Sequence, residues 1–176
     1  MKYLFSLSMF CLLSIVSLNL HAQKDKSTRP SPPATATQKI GDANVSINYS
    51  QPSLKGRTIG VDLEPMPGKV WRAGANEATV FETDKDILVE GKTLVKGKYG
   101  FFILVSEKNW TLIFNKTWEQ WGAFKYKEAD DVLRVTVTEH KAVSVAEQLK
   151  YSISADGMVT ISWGDKEIHF SIKEKK

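Results

Sequence analysis

Hydrophobic and polar residues alternate with period two along most of this chain, first at Val45, Ile47 and Tyr49, which are separated by Ser46 and Asn48. Such spacing sends successive side chains to opposite faces of an extended strand, one face for a core and one for water. Shorter candidates follow at Val80–Thr83 and Ile87–Glu90, the second closed by a Gly91-Lys92 turn. Tyr99–Val105 is a continuous apolar run, which predicts a central strand covered on both faces. Trp110–Phe114 follows across a polar turn at Ser106–Asn109, and Val132–Thr138 is rich in β-branched residues. Leu149–Ser154 and Met158–Trp163 flank Asp156-Gly157, a strong hairpin signal. Gly164-Asp165, before Ile168–Ile172, reads as a second hairpin. Helical spacing is weak, with one turn expected at most, at Ser144–Leu149. Nine or ten short strands with regular turn signals predict an all-β fold, a single antiparallel β-sandwich or partly closed barrel.

Two segments break this rhythm. Ser50–Pro67 is rich in proline and glycine, and Asn115–Asp131 carries Trp118, Trp121, Phe124 and Tyr126. Long loops in a β domain are usual places for function.

The first residues follow another pattern. Lys2 precedes an apolar run, Leu4–Leu20, interrupted by four serines and Asn19, and Leu20-His21-Ala22 places a small residue before a cut. This predicts a secretory signal peptide over residues 1–22, with Gln23 first in the mature chain. The run is too short and too polar for a spanning helix, so no membrane span is expected after cleavage. Cys11 sits mid-run behind Met9-Phe10, not in a lipoprotein context, and no other cysteine exists. Its removal takes away disulfides, thiol nucleophiles and thiolate metal sites together. Residues 23–33, basic and proline-rich, are expected as a flexible tether. Residues 34–172 are expected as the sandwich domain and 173–176 as a basic tail.

Charge distribution then narrows the partners. The chain carries +4 overall, yet residues 34–172 hold 17 Lys/Arg against 18 Asp/Glu. The excess lies at the ends, whereas nucleic-acid binding needs a basic face on the folded domain.

Candidate chemistry concentrates in Trp71-Arg72-Ala73-Gly74-Ala75-Asn76-Glu77-Ala78-Thr79. Gly74, Ala75 and Asn76 read as a turn that brings Arg72 and Glu77 together. The preferred reading is an internal ion pair bracing the loop, with Arg57 or Arg134 able to join it. The alternative is a guanidinium held ready for an anionic or hydroxylated ligand. The rings of Asn115–Asp131 offer either a stacking platform for sugars or, as preferred, a satellite core under the loop. His140 and His169 are single and distant in sequence, with no metal-binding or triad pattern, and Asp130-Asp131 lacks calcium-loop spacing. No cofactor and no metal is expected.

Tyr49-Ser50-Gln51-Pro52, Lys55-Gly56-Arg57, the nine-residue run above, Gly97-Lys98-Tyr99, Trp121-Gly122-Ala123 and Asp131-Val132-Leu133-Arg134-Val135 come in that order. Together they resemble the exported bacterial family called domain of unknown function 2911, over roughly Ala34–Ile172. The resemblance implies a periplasmic or cell-surface address, the family being typical of Bacteroidota, and brings no catalytic residues. One departure is Met66-Pro67, where the family pattern leads one to expect an aromatic residue after the proline.

The leading expectation is a non-catalytic binding or interaction module of the cell envelope, taking a saccharide, another small polar ligand or an envelope component. Its candidate residues are Arg57, Trp71, Arg72, Asn76, Glu77, Trp121 and Tyr126. One alternative is a hydrolase using Glu77 with Asp130 or Asp131 as an acid–base pair. The other is a purely structural protein. Oligomeric state has no signature in the sequence.

Overall fold

A computed structural model describes residues 25–106 and 109–176. The expected signal peptide at 1–22, its Cys11, the mature start at Gln23, and residues 107–108 of the expected Ser106–Asn109 turn lie outside the described residues.

Ten strands carry the fold: β1 (Pro33–Ile40), β2 (Ala43–Ser50), β3 (Val70–Trp71), β4 (Thr79–Thr83), β5 (Ile87–Val89), β6 (Lys92–Leu94), β7 (Gly97–Ser106), β8 (Asn109–Asn115), β9 (Asp131–Ile153) and β10 (Met158–Glu174). They form one antiparallel sheet in the order β1-β2-β4-β7-β8-β9-β10-β5-β6, with β3 added beside β7. Short 3-10 turns at Lys26–Thr28 and Glu128–Asp130 are the helical content of the described residues. The sheet stays unclosed, as expected of a sandwich or open barrel.

Alternation explains which face is inside. In β2, Ala43, Val45, Ile47 and Tyr49 are buried while Asn44 and Asn48 are exposed. In β4, Thr79, Phe81 and Thr83 point to the same interior. β7 is buried on both faces, from Tyr99 to Ile103. Its inner face meets the main core, and its outer face meets the aromatic loop through a small cluster of Ala78, Phe102 and Ile113, with Ala123 and Tyr126 against it.

Two long strands turn the sheet back on itself. β9 pairs with β8 through Asp131–Thr138, then with β10 through Glu139–Ile153. The halves meet through aromatic rings. Phe101 of β7 lies 5.2 Å from Phe114, 6.3 Å from Tyr151 and 6.0 Å from Phe170, measured between ring centroids. Trp71, Trp110 and Trp163 are also fully buried in this core. The Pro/Gly-rich loop after β2 seals one end, where Leu54, Ile59 and Leu63 pack on the core and the Trp163 indole donates to the Glu64 carbonyl at 2.8 Å.

Two local expectations are overturned. Asp156-Gly157 does turn a hairpin, closed by the Ser154 N–H to the Met158 carbonyl at 2.9 Å. Gly164-Asp165 does not. β10 runs straight through it, and the pairing with β9 shifts register on both sides of Gly164. Gly164 has φ +61°, and a Cβ there would sit 2.6 Å from the Ile59 side chain. Its glycine serves a bulge, which bends a strand where a turn would end it. The Ser144–Leu149 stretch, expected as one helical turn, is strand, because the β10 pairing and the Ser53–Gln148 bridge hold its backbone extended.

Candidate functional site

The run after β3 folds into a tight loop closed by the Thr79 N–H donating to the Arg72 carbonyl at 3.2 Å. Ala73 and Asn76, at φ 53° and 59°, take the left-handed conformation expected of Gly74 and Asn76. The alanine is held there by its own carbonyl, which accepts from the Tyr151 hydroxyl at 2.6 Å and the Thr79 hydroxyl at 3.0 Å. Those two bonds offset the cost of about 1–2 kcal/mol for a left-handed residue bearing a Cβ. Gly74 is needed for closeness instead: a Cβ there would lie 2.8 Å from Thr79 Oγ1 and 3.2 Å from the Ser50 carbonyl oxygen. The Trp71 indole donates to the Gly74 carbonyl at 3.0 Å and pins the loop to the core.

The expected ion pair between Arg72 and Glu77 does not form. Their side chains line different cavities. Glu77 is taken by the segment before β1: Arg29 donates to both of its carboxylate oxygens, at 2.8 and 3.0 Å, and Lys26 lies 3.1 Å away. Burial works to raise the Glu77 carboxyl. Hydrogen bonds from its own backbone, Arg29 and Lys26 overcome that and hold it at about 2. Arg29 also lies 5.9 Å from the centre of the Trp121 ring. Asn76 donates to the Ser31 carbonyl at 3.0 Å and accepts from the Gly122 N–H at 2.9 Å. Segment 25–33, expected as a tether, thus lies against Asn76, Glu77 and Trp121.

Arg72 is left without a partner. It makes no side-chain hydrogen bond and no ion pair among the described residues, and its Nε is buried with nothing to donate to. Burial pulls the guanidinium below the usual arginine value, while the Glu64 carboxylate pushes the other way. It lines a cavity of about 200 Å³ together with Arg57, Glu64, Leu63, Trp71 and Trp163. Arg57, on the exposed rim, donates Nε to the Leu54 carbonyl at 3.1 Å and Nη2 to the Ser53 carbonyl at 2.9 Å. Its Nη1 donates to nothing among the described residues. The Glu64 carboxylate accepts the Met66 N–H at 3.1 Å.

The expected candidates therefore separate into three places. Arg57, Trp71 and Arg72 share the cavity. Asn76, Glu77 and Trp121 form the anchorage of the N-terminal segment. Tyr126 belongs to a third cluster, where its hydroxyl donates to Asp131 at 2.8 Å and accepts from Arg134 at 2.8 Å. Burial and the Asp131 carboxylate push that hydroxyl up to about 12, with Arg134 opposing. Asp131 also accepts from Arg134 Nε and Asn115 Nδ2, both at 2.7 Å. Arg134 therefore serves Asp131, and Glu128 at 3.3 Å, instead of joining Glu77. Among the described residues the Asp130 carboxylate accepts only from the Thr117 hydroxyl, at 3.4 Å.

The aromatic loop is divided. Tyr126 packs on Phe102, ring centroids 5.2 Å apart, while Trp121 and Phe124 are 54 % and 86 % exposed. His140 and His169, distant in sequence, meet across β9 and β10 with ring centroids 5.5 Å apart, and Glu167 lies 3.0 Å from His169. Among the described residues no group of three or more His, Cys, Asp or Glu could hold a metal, and no helix is long and apolar enough to cross a membrane.

Sequence reasoning missed Glu64, Trp163, Arg29 and Lys26. Trp163 carried only its strand pattern, and Glu64 sat in a loop with no spacing to read. Lys26 and Arg29 registered as net charge alone, since Arg29 lies 48 residues from the carboxylate it meets.

No curated protein and no solved structure matches the chain. A family model does, beginning two residues before β1 and ending two residues short of the end of β10, so that it spans nearly all of the sheet and every residue named above as lining the Arg72 cavity. The chain belongs to the family described as protein of unknown function (DUF2911), matched over residues 31–172.

Proposed function

We propose that this chain is a non-catalytic binding module of the cell envelope whose ligand is a small polar molecule bearing an anionic group, received by Arg72. One observation carries the reading: Arg72, whose Nε is buried without a partner and which forms no ion pair among the described residues, lines a cavity. Buried donors are otherwise almost always satisfied, and an exception in a concave site points to a missing partner. Planar guanidinium suits a carboxylate or phosphate, which accepts two parallel N–H bonds. The cavity is smaller than the usual ~300–1,000 Å³ of drug-sized pockets, which favours a ligand of a few heavy atoms. A neutral saccharide fits less well, because Trp71 and Trp163 are each 1 % exposed and offer no open ring to stack on. The envelope address rests on the leader pattern of residues 1–22.

The acid–base alternative gains no support from the geometry. A general acid needs a raised carboxyl, whereas Glu77 is held at about 2 by bound cations and Asp131 is engaged by three donors.

Titration calorimetry of the full chain against small carboxylic acids, phosphate and neutral sugars tests the reading. Acid binding lost in Arg72→Gln is expected. Sugar binding that survives Arg72→Gln, or the absence of any acid binding, overturns it.

A further inference from the structure

The cavity that holds Arg72 also holds a carboxylate, and the two do not neutralise one another. Glu64 lines the same space and acts on Arg72 through its charge, yet among the described residues neither Arg72 nor Arg57 forms an ion pair with it. A guanidinium and a carboxylate left apart in a confined site normally close on each other, since their mutual attraction then offsets part of the hydration each has lost. Here the backbone holds them apart. Arg72 leaves the end of β3 in a loop fixed by the Trp71, Thr79 and Tyr151 side chains. Glu64 sits in the opposite loop, where the Trp163 indole holds its carbonyl and the Met66 N–H holds its carboxylate. Leu63, Pro52 and Ala75 supply an apolar wall of the same cavity.

Resting on the anion-site reading above, we infer that the ligand is zwitterionic, a free α-amino acid with its carboxylate on Arg72 and Arg57 and its ammonium on Glu64. A molecule with both charges satisfies the two ends of the site at once, and a modest side chain lies against the apolar wall. A simple anion would answer Arg72 and leave Glu64 facing a second negative charge across about 200 Å³. A simple amine would make the opposite error beside two arginines. The site therefore discriminates by the penalty of the wrong charge as well as by attraction.

Calorimetry on the full chain separates this inference from the reading beneath it. The probes are alanine, leucine and glutamate as free amino acids, their N-acetyl derivatives, which keep the carboxylate and lose the ammonium, and the corresponding primary amines. The expected result is binding of at least one free amino acid, weakened about tenfold or more by N-acetylation, a loss of ~1.4 kcal/mol or more. Glu64→Gln should weaken the free amino acid and strengthen its acetylated form, so that the two bind nearly alike. Arg72→Gln should abolish both, and Arg72→Lys should restore part, since it returns charge without the two-bond fork. Equal binding of free and acetylated acids, with Glu64→Gln silent, overturns the zwitterion and leaves the anion site standing. Binding indifferent to Arg72→Gln, or absent for every acid, overturns both. Thermal melts of the variants confirm that a lost signal is not lost fold.

Discussion

Arg72 and Glu77 show what a single side chain can and cannot disclose. They stand five positions apart around a turn, with opposite charges, and the economical reading pairs them. The structure separates them because Ala73, not Gly74, makes the left-handed step, anchored by hydroxyls from β4 and β9. The shorter of those bonds comes from Tyr151, 78 residues away, and the local run does not disclose it. A measurable consequence follows. Arg72→Ala and Glu77→Ala should be additive within about 0.5 kcal/mol in denaturant melts, as sites without a shared partner are. Arg72→Met, which removes a buried unsatisfied donor and keeps volume, should leave stability unchanged or raise it by up to about 1 kcal/mol. Coupling above about 1 kcal/mol between positions 72 and 77 would show that the two side chains share a network after all. Residue type picked out Trp71 and Arg72 but not their roles: Trp71, expected as a ligand-binding candidate, is a fully buried core ring, and Arg72, expected first as half of an ion pair, has no partner among the described residues. Glu64 had no such signal.

At the scale of elements, alternation identified most strands, because a half-buried strand writes its burial into every second residue. It failed where the same two residue types, in opposite order, serve two geometries. Asp156-Gly157 and Gly164-Asp165 look alike in sequence. The first ends pairing, and the second only bends it, because Gly164 stands opposite Ala146 of a strand that continues beyond it. Gly164→Ala should therefore cost about 1–3 kcal/mol, from a left-handed backbone and a Cβ against Ile59. A thermal melt unchanged by this substitution would mean that the bulge does not depend on glycine. The N-terminal segment carries another testable element. Glu77 is held below the ordinary carboxylate value of 4.5, at about 2, so its hold on Arg29 and Lys26 is complete above pH 4.5 and fades as pH falls towards 2. Glu77 is 39 % exposed, so the pair contributes no more than about 1 kcal/mol. Amide exchange over Lys26–Ser31 should thus accelerate between pH 4.5 and 2 relative to the rest of the sheet, after correction for intrinsic rates. In Glu77→Gln it should be fast already at pH 7. Slow exchange in that variant would place the anchorage elsewhere, on Asn76 and the Ser31 carbonyl.

The whole molecule behaves as one unit because one sheet supplies both walls of its core. β9 carries hydrogen bonds of both halves, and Phe101 touches rings from β8, β9 and β10. Phe101→Ala should cost about 3–5 kcal/mol, and unfolding should remain a single transition when fluorescence and circular dichroism are compared. Two separated transitions would mean that the halves fold apart. The sequence foretold the all-β class and the approximate strand number, but not the path, since a period of two says which face is inside and nothing about which neighbour is chosen. The least local choice is that of β5 and β6. This hairpin is made between β4 and β7, yet it docks at the far end of the sheet, where Val89 meets Ile172. During synthesis its partner strand emerges about 80 residues later, a delay of several seconds at ~5–20 residues per second. For that interval Ile87, Val89 and Leu94, buried in the finished molecule, lack the strand that pairs with β5. The sheet can zip from β1 to β9 while this one flap hangs open, and β10 is the strand that closes it.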